Sequence, residues 1–148
     1  MPELPEVETV RIFLDSHIIG KTISGIEILN SKSFVGDPNL AKNQTIISTS
    51  RLGKQLSLHL KNKLTLLFHL KMTGQVIIGD SVLGHPTPKE DKTHLPNKST
   101  RIIFTFSDQT KLFFNDQRKF GWVKLFTSDE LKNFQKDVDR RSKSGFYQ

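Results

Sequence analysis

The chain has 148 residues, a length that suits one ordinary domain with its own apolar core. It contains no cysteine, which excludes disulfides, thiol catalysis and thiolate zinc sites within it, and its 5 histidines show no metal-ligand spacing. With 22 Lys+Arg against 15 Asp+Glu, the formal charge of +7 favours a polyanionic partner, although charge alone does not separate DNA, RNA and an anionic membrane.

In chain order, the first segment, Glu3 to Ile19, opens with Pro5 in an acidic first turn. It places Val7, Val10, Phe13 or Leu14, and Ile18 at helical spacing and stops at Gly20, which predicts an amphipathic helix almost at the chain start. From Lys21 the period changes to two. Strands are expected over Ile23–Leu29, Gln44–Ser50, Gln55–Leu60, Leu64–Leu70, Arg101–Phe106, Lys111–Asn115 and Trp122–Phe126. Asn62-Lys63 and Asp108-Gln109 suit hairpin turns. The polar stretch from Gly79 to Thr100 has three prolines and little periodicity, and reads as a long surface loop. Thr127 and Glu130 form a capping box for a short helix over Ser128–Gln135, after which the chain has little apolar content and is expected to fray. The expected fold is mostly β with helices, an antiparallel β-sandwich with an N-terminal helix. Residues 1–136 form the domain and 137–148 a polar tail. No run of about 18 apolar residues and no signal-peptide layout occur, so a soluble, cytoplasmic protein is expected.

Four short strings carry chemistry. The first is MPELPEVETV, which as a generic opening is only a capped helix start. Its first acid, Glu3, lies beside Pro2. Glu6 follows one helical turn on, where a favourable interaction with the helix N-terminus explains it equally well. RLGK ends at Lys54 before a strand, a place where a lysine is usually just solvated. HLKMTG runs from His69 to Gly74 and reads by itself as a strand histidine and a core methionine near a turn. FNDQRKFGW, from Phe114 to Trp122, reads as a polar turn before a strand.

Taken in order, these four strings resemble the N-terminal catalytic domain of the formamidopyrimidine-DNA glycosylases. The resemblance implies a DNA repair enzyme that excises oxidised purines (8-oxoguanine, formamidopyrimidines) and cleaves the abasic strand as a lyase. Removal of Met1 leaves Pro2 as the nucleophile. An α-amino group titrates near 8 against about 10.4 for lysine, so at neutral pH it offers on the order of a hundredfold more free amine. Glu3 is implied as the general acid/base, with Glu6 in range of the same site. Lys54 is implied as a phosphate contact that assists elimination, and His69 as a further phosphate contact. Met72, Arg118 and Phe120 are implied to fill the gap left by an everted base: a flexible thioether and an aromatic wedge enter the stack while a guanidinium hydrogen-bonds the orphaned base. Leu4-Pro5 and the Arg118/Phe120 pair resemble the formamidopyrimidine branch more than the pyrimidine-specific endonuclease VIII branch.

The sequence departs from the family at Lys98-Ser99-Thr100-Arg101, where two histidines are common. Arg101 can still meet a phosphate, whereas Ser99 cannot replace an imidazole in reach or charge. The resemblance covers roughly the first half of a family member. The helix–two-turn–helix domain and the zinc finger belong to the second half, so no cofactor is expected in this chain. The implied partner is damaged double-stranded DNA rather than a membrane, bound by a monomer, in the cytoplasm or on the nucleoid of a bacterium. The reading from another class is a DNA-binding module without independent catalysis, which keeps the basic surface and the wedge residues.

Overall fold

In the computed structural model, residues 4–71, 73–78, 81–84 and 95–144 are described, with side chains omitted at 4–5, 81–84 and 141–144. The helix α1 spans Leu4–Ile18, and the stripe expected of it is its buried face: Val7, Val10, Leu14 and Ile18 are all buried. The spacing of three, four and four residues puts them on one side of the helix, and each buried aliphatic chain of this kind contributes about 1.5–3 kcal/mol relative to exposure. Of the two candidates at the second turn, Leu14 is the one in the core, while Phe13 is partly buried and stacks on His17 at 4.1 Å. Gly20, at φ +87°, ends the helix in a conformation that side chains avoid.

Among the described residues ten strands follow: β1 (Ile23–Ile28), β2 (Phe34–Val35), β3 (Ile46–Leu52), β4 (Gln55–Leu60), β5 (Thr65–His69), β6 (Gly74–Ile78), β7 (Ser81–Gly84), β8 (Thr100–Phe106), β9 (Lys111–Asp116) and β10 (Trp122–Phe126). They make two five-stranded sheets, in the orders β1-β8-β9-β6-β7 and β2-β10-β5-β4-β3. All pairings are antiparallel except β2 with β10. The apolar halves of the strand alternations share one core, with Leu56, Leu58 and Phe68 from one sheet and Ile102, Phe104 and Phe114 from the other. Phe68 meets Phe104 and Phe114 there at ring separations of 5.6 and 6.1 Å. Helix α1 contacts β3, β4 and β7, so it closes the side where the edge strands of both sheets would otherwise stand open. The expected sandwich, its N-terminal helix and both hairpin turns are present, with Lys63 and Gln109 in the left-handed conformation those turns use.

Two expectations change. The polar stretch from Gly79 is not wholly loop, because β7 pairs along β6 from Ile78↔Ser81 to Gln75↔Gly84. With only Val82 and Leu83 apolar, the segment is too short to register as an alternation, and backbone hydrogen bonds to β6 hold it. The second change is α2, which runs past Gln135 to Ser144, so the tail expected to fray from 137 is helical as far as it is described. Its capping box forms as expected: the Glu130 amide donates to Thr127 Oγ1 at 3.2 Å, and the Thr127 amide donates to Glu130 Oε1 at 3.0 Å. The stripe then continues through Phe134, whose ring meets Phe126 at 5.4 Å, to buried Val138. Gln135 Nε2 donates to Asp139 Oδ1 at 2.9 Å across one turn, a spacing that supports a polar helix. No helix among the described residues is long and apolar enough to cross a membrane.

Candidate DNA-facing site

One end of the sandwich collects the residues singled out in the sequence. Helix α1 lies along β3 in the opposite direction: the Gly20 amide meets Ile46 O, Asp15 accepts from Thr49 Oγ1 at 2.9 Å, and Glu8 Oε1 lies 3.6 Å from Arg51 Nε. The start of α1 therefore points toward the turn after β3, where Gly53 and partly buried Lys54 lead into β4. The end of β5 pairs with the start of β10, His69 opposite Trp122, and the start of β6 pairs with the end of β9, Gly74 opposite Asp116. Most buried polar side chains of the described residues gather here, among them Gln55, His69, Gln75, Thr100, Asn115 and Asp116. Burying polar side chains is costly, so their concentration at one end sets that end apart from the apolar core.

Pro2, Glu3 and Met72 lie outside the described residues. Glu6 is exposed in the first turn of α1, the placement expected of it. His69 is 8% exposed, with its ring edge-on to Trp122 at 5.3 Å. The Lys71 amide donates to His69 Nδ1 at 3.3 Å, which leaves the imidazole proton on Nε2, a donor suited to a phosphate oxygen. Burial lowers the His69 pKa to about 4, and the positive charges of Lys71 and Lys54 push in the same direction. The imidazole is neutral at pH 7.

That shift has a consequence for stability. Between the unfolded value of about 6.5 and the folded value of about 4, the unfolded chain takes up a proton that the folded chain refuses. Stability contributed by neutral His69 is therefore complete above pH 6.5 and lost as pH falls toward 4. Over the whole window this amounts to roughly 3 kcal/mol as an upper figure. His59, whose pKa burial also lowers, adds in the same sense. Urea melts at pH 7 and pH 5 should show the loss in the wild-type chain and a smaller one in His69→Gln. Equal losses in the two chains would place the acid sensitivity elsewhere.

The loop from Gln117 to Phe120 is exposed and has Lys119 at φ +62°. Phe120 is 51% exposed, and the Arg118 guanidinium stands over its ring at 5.0 Å. A large aromatic held in water beneath a guanidinium is a surface that awaits a partner offering stacked rings or anions. Arg101, the residue offered as a phosphate contact, is partly buried, and its Nε donates to the Asp116 carbonyl at 2.8 Å. Ser99 is buried and takes no outward part: its carbonyl accepts from the Asp116 amide at 2.8 Å, and its amide donates to Asn97 Oδ1 at 2.9 Å.

Asp116 was given no role by the sequence. Its side chain is fully buried, Oδ2 accepts from the Gly121 amide at 2.6 Å, and Oδ1 accepts from the Arg118 amide at 3.2 Å and from Thr73 Oγ1. The available signal was the period of β9. Leu112, Phe114 and Asp116 fall on one face, so the acid had to point inward with the two core residues.

The domain and its fold have known relatives. A family profile described as formamidopyrimidine-DNA glycosylase N-terminal domain matches residues 1–123. The formamidopyrimidine-DNA glycosylase of Ligilactobacillus salivarius is 38% identical over 129 residues, which is 84% of this chain and 43% of that protein. The one from the Wolbachia of Brugia malayi is 34% identical over 141 residues, covering 93% and 48%. Among solved structures, the Lactococcus lactis enzyme bound non-covalently to DNA containing an abasic site superposes with a TM-score of 0.74 at 29% identity, over 90% of this chain and 48% of that one. A MutM in complex with DNA containing carbocyclic 8-oxoguanine gives 0.73, also at 29% identity, over 90% and 47%. The chain spans about half the length of the relatives it matches. By the profile match and by this shared fold, the chain belongs to the formamidopyrimidine-DNA glycosylase family, of which it carries the N-terminal domain.

Proposed function

We propose that this chain is the catalytic half of a DNA glycosylase and abasic-site lyase that excises oxidised purines from double-stranded DNA. The observation that carries the reading is the convergence of the α1 N-terminus, the Lys54 turn, His69 and the Arg118–Phe120 loop on one end of the sandwich. Without its initiator Met, Pro2 presents a secondary amine. Its lone pair attacks the sugar C1′, the C1′–N bond breaks, and the base leaves with that electron pair as Glu3 delivers a proton. Loss of the amine proton leaves a cyclic aminal, whose nitrogen lone pair expels O4′ as that oxygen takes a proton and the sugar ring opens; the resulting iminium acidifies the C2′ hydrogen. Removal of that proton expels the 3′ phosphate by β-elimination, and hydrolysis of the iminium returns the free amine.

C1′ and the damaged base are out of reach inside a stacked duplex, so the nucleotide must be everted at a cost of a few kcal/mol. Met72, Arg118 and Phe120 offset this by occupying the void, and Lys54 and His69 by holding the phosphates beside it. His69 enters that contact neutral, as a hydrogen-bond donor rather than a charge. The family's activity on oxidised purines supports the substrate class, and a repair role on bacterial-type DNA supports a cytoplasmic or nucleoid location. A monomer suffices for this chemistry.

The test is strand cleavage. A duplex with one abasic site should be nicked by the demethionylated chain to a β-elimination product, while an intact duplex is left whole. Retention of the abasic duplex without nicking would reduce the chain to a DNA-binding module. Binding itself is expected to be weak, salt-dependent and nearly independent of sequence. Lys54→Ala should weaken it on every duplex and lower the slope of log K against log salt by about 0.9, the value for one phosphate contact. An unchanged slope would remove Lys54 from the phosphate set.

A further inference from the structure

We propose that Asp116 is a positioning residue that fastens the turn from Leu70 to Gly74 and the loop from Gln117 to Gly121 into one rigid unit, so that the groups they carry enter DNA together. This rests on the void-filling reading of those two segments. The Asp116 carboxylate is fully buried at the end of β9, and among the described residues its oxygens are met by three neutral donors from two separate segments. One oxygen, Oδ1, takes Thr73 Oγ1 from the first turn and the Arg118 amide from the second loop. The other, Oδ2, takes the Gly121 amide where that loop rejoins β10. Thr73 Oγ1 also accepts from the Arg118 amide at 3.1 Å, so the two segments share a donor as well as an acceptor.

An acceptor for a single turn needs one oxygen and no charge. Burying a carboxylate is costly unless its lone pairs are satisfied, and here both oxygens are used, each by amides that a charged acceptor holds more strongly than a neutral one. Two glycines make the close approach possible. A Cβ at Gly121 would stand 2.8 Å from Asp116 Oδ2 and 2.8 Å from His69 O, and a Cβ at Gly74 would stand 2.4 Å from Leu70 O. The backbone of Asp116 extends the junction, since its carbonyl accepts Arg101 Nε and its amide binds Ser99 O. Exposed Phe120 and Arg118 thus project from a loop fixed at both ends, which places the ordering cost in folding rather than in DNA binding.

Three substitutions separate the links. Asp116→Ala removes the three bonds to the carboxylate and leaves only the Arg118 amide on Thr73 Oγ1 between the two segments. Thr73→Val is nearly isosteric and removes only the shared hydroxyl. Asp116→Asn keeps one acceptor oxygen for the Gly121 amide, while its NH2 can donate to Thr73 Oγ1 but cannot accept from the Arg118 amide, so it should restore protection at Gly121 and only part of it at Arg118. Amide hydrogen exchange in the free chain reads the clamp directly. Arg118 and Gly121 should exchange about tenfold faster or more in Asp116→Ala, and Arg118 alone should do so in Thr73→Val. The second readout is 2-aminopurine placed opposite a tetrahydrofuran abasic analogue, whose fluorescence rises when the loop unstacks it. Asp116→Ala and Thr73→Val should lose most of that rise while still binding the duplex. Wild-type exchange at Arg118 in folded Thr73→Val, or a full fluorescence rise in either variant, would overturn the clamp. A wild-type chain that binds this duplex without any rise would count against the void-filling reading instead, and the exchange rates would then decide the clamp alone.

Discussion

Glu3→Gln is expected to slow release of 8-oxoguanine from a duplex by about 10²–10⁴-fold, the usual contribution of a positioned general acid, while leaving most of the reaction with a preformed abasic site. The two steps ask for different proton transfers. Base departure leaves negative charge on the purine, and a carboxylic acid beside the amine neutralises it as the bond breaks. An amide of the same shape offers N–H donors but no transferable proton. At an abasic site the aldehyde is already open to the amine, and no base has to leave. Base release followed by chromatography, alongside single-turnover reaction with abasic DNA, separates the two. A variant that loses both steps equally would make Glu3 a structural requirement of the helix start rather than the acid.

Much of the scaffold was legible because its periods are clean. The stripe of Val7, Val10, Leu14 and Ile18 specifies one buried helix face, and the alternation of Leu56, Leu58 and Leu60 specifies one buried strand face. Asn62-Lys63 and Asp108-Gln109 mark turns in which the Asn62 and Asp108 side chains accept from the amides two residues on, while Lys63 and Gln109 take the left-handed backbone. Where the chain's organisation comes from pairing rather than pattern, the sequence was silent. Strand β7 is recruited by the edge of β6, and β2 by the edge of β10 through only two residues. The length of α2 was hidden because Phe134 and Val138 are thinly spread among charged residues, and their value depends on a sheet face that period alone does not locate.

The site divides in the same way. Lys54, His69, Arg118 and Phe120 were flagged by short strings, and the topology brings their segments to one end of the sandwich. The two sequence-level readings of His69, a satisfied strand histidine and a phosphate contact, are compatible: the ring is buried against Trp122 with Nδ1 bonded, and Nε2 carries the proton. Arg101, expected as a phosphate contact, is anchored to the Asp116 carbonyl through Nε. Asp116 itself was missed because an acid flanked by Asn115 and Gln117 reads as turn polarity, and only the partners brought by β6 and β10 give its two oxygens separate tasks.

The second large effect concerns the amine of Pro2, on which the whole catalytic reading depends. A secondary amine condenses with the abasic aldehyde to an iminium, and borohydride delivers hydride to that carbon to leave a stable tertiary amine. An abasic site is unpaired and needs no excision, so this step makes the fewest demands on the rest of the protein. Chain that retains Met1 has Pro2 as an amide nitrogen, and N-acetylated chain has no free α-amine. Both should fall to background, whereas Pro2→Gly keeps a primary amine and should trap slowly. Lysine side chains are about a hundredfold poorer sources of free amine at neutral pH and should not substitute. The deciding measurement is therefore a peptide map of the borohydride-reduced adduct between demethionylated chain and abasic duplex DNA. A link on residue 2 is the predicted result, and chain that binds abasic DNA yet gives no adduct, or an adduct on a lysine, would contradict the assignment of catalysis to this domain.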